Sequence, residues 1–250
     1  MTNHDDGFFG ADVADRYDES LPDMFEPAAI DPVVRFLAEL AGDGAALELG
    51  VGTGRIALPL AERGVPTDGI ELSRAMVAKL REKPGGDDIG VTIGDFATAS
   101  APQTYAVVYL VFNTIGNLTS QDAQVACFRN AARHLEPGGT FVVEVGTPAL
   151  QRLPPGATVH SFDVSDDHLG FDEYDIPNQD LISHHFWRRG DHWVRNSVPF
   201  RYVWPAELDL MAQIAGMRLR ERWADWNRAV FTRDSGKHIS VWELVAEYPA

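Results

Sequence analysis

The sequence predicts an α/β protein with a doubly wound, seven-stranded and mostly parallel sheet, and with an antiparallel β insertion between the fifth and sixth strands. Short apolar runs alternate with amphipathic stretches between residues 45 and 145, and two of these runs lead into an acidic residue. After Pro148 the pattern changes to segments in which apolar and polar residues alternate, separated by polar turns. Alternating strands and helices are typical of βαβ units, which build a parallel sheet covered by helices.

Length and charge limit the classes of partner. The 250 residues are enough for one large domain with its own core. We expect a single domain over residues 1–250, with residues 149–204 as an inserted antiparallel lid or dimerisation sheet. The 37 acidic and 21 basic residues give a net charge of −16, which disfavours nucleic acid and anionic membranes because Lys and Arg recognise both. We therefore expect a small-molecule partner, and a monomer or homodimer.

The single cysteine and the N-terminal residues bear on the compartment. Cys127 is the only cysteine, so the chain cannot form an internal disulfide, and its helical context favours a small buried thiol. Residues 1–19 are acidic and lack the apolar centre of a signal peptide. No apolar run reaches membrane-spanning length. We expect a cytoplasmic protein.

The first half of the chain supplies the strand–helix alternation. Asp31 and Pro32 predict a helix start, because an N-cap acceptor precedes a proline in the first turn. Pro59 follows the first strand closely and predicts a kinked or delayed helix there. Thr119 and Asp122 form a capping-box pattern before a later helix. The predicted strands cover residues 45–49, 65–71, 89–93, 105–112 and 141–145.

The second half contains the insertion and the end of the sheet. Three segments alternate as antiparallel strands do, and they cover residues 158–164, 181–188 and 192–204. The elements predicted after them are a helix over residues 207–215 and strands over residues 218–223 and 239–246.

The turn after the first predicted strand carries three glycines at alternate positions, Gly50, Gly52 and Gly54. Glycine is needed where a turn requires backbone angles that a Cβ forbids, and where a ligand lies against bare main chain. The pattern alone is weak evidence, because similar glycines occur in plain βα turns.

Two acidic residues at the ends of the next strands make the pattern specific. Glu71 ends the second strand about twenty residues after the glycine turn, where an acid reaches ribose hydroxyls. Asp95 follows the third strand. Ligands of open α/β sheets bind at the carboxyl ends of strands. The glycine turn, Glu71 and Asp95 therefore converge on one adenosine-sized site.

Together these segments resemble the class I S-adenosylmethionine-dependent methyltransferases. Residues 48–54, 70–73 and 94–96 are similar to the family's first, second and third motifs, and residues 134–139 resemble its turn before the fifth strand. The resemblance covers nearly the whole chain. It implies methyl transfer from S-adenosylmethionine, with S-adenosylhomocysteine as product, to an oxygen or nitrogen of a small metabolite or natural product.

The resemblance also implies roles for single residues. The three glycines would let the methionine part of the cofactor lie against the main chain, with Glu48 near its amino group. Glu71 would take the ribose hydroxyls, and Asp95 would accept a hydrogen bond from the adenine amine beside the ring of Phe96. The remaining residues of the implied cofactor site are Tyr17, Arg55, Leu72, Val111, Phe112 and Asn113.

Two alternatives stay open. A NAD-linked dehydrogenase shares the fold logic but usually shows Gly-x-Gly-x-x-Gly, whereas Arg55 occupies the place of its third glycine. A cofactor-binding partner or sensor protein without catalysis is also possible, because no catalytic base stands out. We favour the methyltransferase.

Candidate catalytic residues are less specific. Glu144 interrupts an apolar strand near its carboxyl end and is a candidate base, although a rim carboxylate held by local hydrogen bonds is the commoner outcome. His184 and His185 are the other candidates, of which at most one can face the cleft because strand neighbours point to opposite faces. Neither has partners at metal-ligand spacing, so we expect no metal.

Candidate acceptor-binding residues are Asn117, Trp187 and Tyr202. Residues 111–118 resemble the small-molecule branch that contains aminosugar N-methyltransferases of antibiotic pathways. Members of that branch tend to carry His or Tyr where this chain has Asn117. We therefore do not predict from this resemblance that the acceptor is an aminosugar.

Overall fold

The computed structural model describes residues 6–245. The outermost residues at each end lie outside this range, including the first five of the segment searched for a signal peptide and Ala246 of the last predicted strand. The helices are α1 (Ala11–Ala14), α2 (Tyr17–Ser20), α3 (Pro27–Ala41), α4 (Ala57–Glu62), α5 (Arg74–Arg81), α6 (Gln121–His134) and α7 (Pro205–Ile214). The strands are β1 (Ala46–Leu49), β2 (Thr67–Glu71), β3 (Gly90–Ile93), β4 (Tyr105–Leu110), β5 (Leu135–Gly146), β6 (Val159–Val164), β7 (His168–Asp175), β8 (Asp180–Arg189), β9 (His192–Arg201), β10 (Met217–Trp223) and β11 (Lys237–Leu244).

Seven strands form the main sheet in the order β10-β11-β5-β4-β1-β2-β3. Strands β1 to β5 pair in parallel, and β11 is antiparallel to both β5 and β10. The order reverses direction at β1, with β2 on one side and β4 on the other. The carboxyl ends beside such a switch point leave a crevice for a ligand. This arrangement confirms the predicted fold class.

Helices cover both faces of the main sheet. On one face Phe128 of α6 packs edge-on against Phe141 and Trp242, with ring centroids 5.0 Å and 5.3 Å apart. On the other face α3 and α4 bury an apolar cluster that includes Leu37 and Leu60. Strands covered on both faces read as continuous apolar runs, which explains the run over β4.

The inserted segment forms its own antiparallel sheet in the order β6-β7-β8-β9. The sequence predicted three of its strands and missed β7. Strand β7 carries His168 and Gly170 on one face and Glu173 on the other, so no alternation of apolar and polar residues marks it. The end of β9 packs against the short helical turn Thr114–Asn117 at the edge of the main sheet.

Two predicted helix starts were wrong, and one prediction about proline was confirmed. Helix α3 begins at Pro27 and runs through Pro32, because Pro27 already provides the first-turn proline. Ser120, not Thr119, caps α6 by accepting a hydrogen bond from the Ala123 amide. Helix α4 starts late, at Ala57, so Pro59 lies in its first turn. Amides of the first turn have no hydrogen-bond partner within the helix, so the missing amide hydrogen of proline costs nothing there.

Within residues 6–245, no helix combines the length and apolar character needed to cross a membrane.

Candidate active site

The glycine turn between β1 and α4 is the floor of the site. Gly50, Gly52 and Gly54 have φ angles of +73°, +55° and +82°, a region that residues with a Cβ rarely adopt. A Cβ on Gly50 would lie 3.0 Å from Thr114 and 3.9 Å from the Phe96 ring. The turn therefore presents bare main chain to a space bounded by the segments after β3 and β4.

Glu71 lies at the carboxyl end of β2 and faces the glycine turn. Its carboxylate accepts hydrogen bonds from the Gly52 amide at 2.8 Å and from the Ser73 amide at 2.9 Å. Burial raises the pKa of Glu71, while these backbone donors lower it. Both carboxylate oxygens are thus held beside the glycine turn, and each keeps a second lone pair.

Glu48 lies beneath the same turn. It is almost fully buried and accepts a hydrogen bond from the Tyr109 hydroxyl at 3.1 Å. Burial raises the pKa of Glu48 to about 8, against the opposing effects of the Arg55 guanidinium and the Tyr109 hydrogen bond. In the free protein Glu48 is therefore mainly a neutral acid near pH 7.

Asp95 and Phe96 follow β3, on the far side of Glu71. Asp95 is exposed and accepts a hydrogen bond from the Ala97 amide at 2.8 Å. The buried side chain of Asn130 on α6 donates to the carbonyls of Phe96 at 2.8 Å and Ala99 at 2.9 Å. Asn130 thus anchors the loop that carries both predicted adenine contacts.

The N-terminal helices lie over the turn. Asp18 of α2 accepts a hydrogen bond from the Thr53 hydroxyl at 2.6 Å and pairs with Lys83. Through these two contacts Asp18 holds α2 against the glycine turn. Burial is the main reason that the pKa of the neighbouring Tyr17 is raised. The nearby Arg55 lowers this pKa, and Glu71 raises it.

These residues fit the implied cofactor. A Cβ on Gly50 would intrude on the cradle bounded by Thr114 and Phe96, whereas one on Gly54 would meet Leu80 and Leu58. Carboxylates stand at the ends of β1 and β2 and just after β3. Leu72 is about half exposed beside this cradle. Val111 differs, because its side chain is buried in the core.

Two residues after β4 have unusual backbone angles. Phe112 and Asn113 have φ angles of +60° and +61°, and each such angle costs a residue with a Cβ about 1–3 kcal/mol. The Phe112 ring lies under the Arg55 guanidinium, with 5.1 Å from the ring centroid to Cζ. Phe112 therefore adjoins the glycine turn.

Phe112 also lines a cavity of about 450 Å³ at the carboxyl ends of β4 and β5 and the amino end of β11. The other lining residues are Met24, Asn113, Glu144, Gly146, Ala224, Gly236 and Lys237. This volume is within the range of about 300–1,000 Å³ typical of small-ligand sites. The cavity is mostly apolar and contains one ammonium group, that of Lys237.

The predicted base Glu144 is surrounded by donors. Its carboxylate accepts hydrogen bonds from the Phe112 amide at 3.0 Å, the Trp226 indole at 3.1 Å and the Lys237 ammonium at 2.7 Å. Glu144 is buried, and these three donors hold its carboxylate in place. A role for Glu144 must therefore be sought in these contacts.

The two histidine candidates are engaged within the inserted sheet. The ring nitrogens of His184 lie 2.8 Å from the Ser197 hydroxyl and 3.2 Å from Glu173. His185 lies 3.0 Å from a ring nitrogen of His168 and 3.3 Å from a serine hydroxyl of its own strand. These contacts hold both rings within the inserted sheet, and the catalytic role of either histidine stays a prediction.

The predicted acceptor residues occupy three different places. Asn117 ends the helical turn that follows Asn113. Tyr202 is buried where the insertion returns to the main sheet, and its hydroxyl donates to the Ile176 carbonyl at 3.2 Å. Trp187 stacks on His168 with ring centroids 3.8 Å apart. None of these three residues is among those that line the cavity beside Phe112.

Sequence reasoning missed several residues of this region. Asp18, Asn130 and Lys237 lie in no motif, and only the folded chain brings them to the strand ends. An amide side chain at a core position of α6 was the one available signal, because buried amides need hydrogen-bond partners. Lys237 and Glu144 are 93 residues apart, so no local sequence pattern indicates their ion pair.

Comparison with known proteins agrees with this geometry. Residues 46–139 match the family model described as a methyltransferase domain. The chain is 28% identical over 176 residues to the cypemycin N-terminal methyltransferase of a Streptomyces species, which covers 69% of this chain and 72% of that protein. The solved CcbJ methyltransferase from Streptomyces caelestis is 40% identical, with a TM-score of 0.84 over 96% of this chain and 99% of that one.

A more distant structure shares the fold. An amino pentose methyltransferase from Micromonospora echinaspora, solved with S-adenosylmethionine bound, is 21% identical, with a TM-score of 0.67 over 86% of this chain and 89% of that one. These similarities confirm the predicted family and its cofactor, and they set the dehydrogenase alternative aside. The chain belongs to the class I S-adenosylmethionine-dependent methyltransferases.

Proposed function

We propose that the protein methylates a small-molecule acceptor bound in the cavity beside Phe112, and that the acceptor atom is an amine nitrogen. The observation that carries the proposal is this cavity of about 450 Å³, which adjoins the glycine turn through Phe112. The names of two relatives support nitrogen, since one methylates an N-terminus and the other an amino pentose. Oxygen is the second candidate.

The residues at the strand ends have separate tasks. When bound, S-adenosylmethionine supplies an activated methyl group, which the nitrogen lone pair displaces from sulfur to leave S-adenosylhomocysteine. The glycine turn, Glu71 and Asp95 hold the adenosyl and methionine parts in place. Met24, Phe112 and Ala224 wall the acceptor and exclude water, which favours alignment of nitrogen with the methyl carbon. An amine that arrives neutral gives its surplus proton to solvent after transfer, so no dedicated base is needed.

A labelled-methyl assay tests this proposal. Purified protein is incubated with labelled S-adenosylmethionine and a panel of small amines, amino sugars and phenols. We expect label in at least one amine, and Ala224→Trp, which fills the cavity, should abolish that transfer while calorimetry still detects S-adenosylhomocysteine binding. Cofactor binding without transfer to any member of the panel would favour the non-catalytic partner or sensor protein.

A further inference from the structure

Glu144 holds the segment after β4 with both its side chain and its main chain. Its carboxylate accepts a hydrogen bond from the Phe112 amide at 3.0 Å, and its carbonyl accepts one from the Asn113 amide at 3.2 Å. Asn113 completes the connection by accepting a hydrogen bond from the Gly146 amide at 2.6 Å. Three hydrogen bonds therefore tie residues 112 and 113 to the end of β5.

These bonds secure a conformation that the two residues would not adopt by themselves. Both have positive φ angles, which a bulky residue such as Phe112 rarely takes. Such a conformation persists only where its surroundings determine it strongly. Glu144 is the residue that contacts both amide groups of the pair.

The conformation matters because Phe112 and Asn113 adjoin both the glycine turn and the cavity. The Phe112 ring contacts the Arg55 guanidinium and also lines the cavity. Asn113 then begins the turn that brings Thr114 towards Gly50. A change of φ at residues 112 and 113 would move these contacts and misalign the two ligands.

The charge on Glu144 is already compensated. The ammonium of Lys237 lies 2.7 Å from the oxygen that also accepts from the Trp226 indole. Both carboxylate oxygens therefore already accept hydrogen bonds from protein donors, and Oε1 accepts two of them.

We propose that Glu144 is a positioning residue that fixes Phe112 and Asn113 where the glycine turn meets the acceptor cavity. This inference rests on the acceptor cavity proposed above. Glu144 acts through the backbone of the segment after β4 and takes no proton from the acceptor.

A matched pair of variants tests the backbone argument. Asn113→Gly and Asn113→Val both delete the carboxamide, but only valine opposes a positive φ. We expect kcat of Asn113→Val to lie at least about tenfold below that of Asn113→Gly, with KM for S-adenosylmethionine similar in both. Equal kcat values for the two variants would overturn the proposal.

Glu144→Gln tests the carboxylate itself, with Glu243→Gln on the distal part of β11 as control. We expect Glu144→Gln to lower kcat by a factor that stays constant from about pH 6 to about pH 9, and its crystal structure to show altered φ angles at Phe112. The control should match the wild type. A deficit that vanishes at high pH, with unchanged φ angles, would identify a base and overturn the proposal. The φ angles report on Glu144 even if no panel acceptor is methylated, so failure of the proposed function remains distinguishable.

Discussion

The carboxylate of Glu48 and the hydroxyl of Tyr109 form a hydrogen bond of 3.1 Å in the interior, directly beneath the glycine turn. Burial outweighs this hydrogen bond and the nearby Arg55, so the pKa of Glu48 is raised to about 8. Glu48 is therefore mainly protonated in the free protein near neutral pH. A cationic ligand group placed beside it would favour the ionised form.

Cofactor binding should thus release a proton from Glu48. If the ammonium group of the cofactor lies near Glu48, as we propose, roughly one proton leaves near pH 7. Calorimetric titration with S-adenosylhomocysteine in buffers of different ionisation enthalpy should give enthalpies that depend on the buffer. Glu48→Gln should remove this dependence. Identical wild-type enthalpies in all buffers would show that Glu48 does not ionise.

The buried His238 should make the fold sensitive to acid. Burial and the Arg222 guanidinium lower the pKa of His238 to about 4, below the ordinary value of 6.5. Between about pH 4 and pH 6.5 the unfolded chain binds a proton at His238 that the folded chain does not bind. The free energy of unfolding therefore falls as pH falls. The loss reaches about 3 kcal/mol at most. Denaturant titrations at several pH values should show a smaller acid loss for His238→Asn, and equal losses would contradict the assignment.

Two glycines with similar backbone angles should respond differently to alanine. Gly54 has φ +82°, and an added Cβ would lie 2.3 Å from Leu80 and 3.0 Å from Leu58, whereas Gly138 has φ +80° and open space. The angle costs about 1–2 kcal/mol in each case, and overpacking against the buried Leu80 adds about 1–3 kcal/mol at Gly54. Chemical denaturation should find Gly54→Ala the less stable variant. Equal stabilities would mean that Leu58 and Leu80 move aside without a cost in free energy.

Removal of the Asn130 amide should weaken cofactor binding from a distance. Asn130→Ala leaves the carbonyls of Phe96 and Ala99 without their donor, which costs about 1–3 kcal/mol of stability. The loop with Asp95 should then loosen, and calorimetry should show a weaker affinity for S-adenosylhomocysteine. The exposed Asn178, which donates to Asp175, provides the control variant Asn178→Ala. A stable Asn130→Ala protein with full affinity would contradict the anchoring role.

The main sheet and its glycine turn were predictable because their signals are local in sequence. The apolar run of β4 and the spacing from Gly52 to Glu71 each fall within one short stretch. The start of α3 was misread, since Pro27 and Pro32 both suit a first turn and only the fold selects the earlier one.

The rest depends on contacts between distant parts of the chain. Strand β7 has no apolar alternation, so its pairing with β8 in the folded chain is what defines it. The surroundings of Glu144 combine Phe112, Trp226 and Lys237, which no single stretch of sequence contains. A carboxylate in an apolar strand indicates a functional position, but its partners decide its role.

Calorimetry with S-adenosylhomocysteine tests the central claim most directly, namely that the ends of β1, β2 and β3 together hold the cofactor. Wild-type protein should bind one equivalent, and Glu71→Ala should weaken binding by about 2–4 kcal/mol, since a buried carboxylate that pairs with hydroxyls is lost. Glu62→Ala, on the exposed end of α4, should bind like the wild type. Unchanged affinity in Glu71→Ala, or no binding by the wild type, would contradict the account.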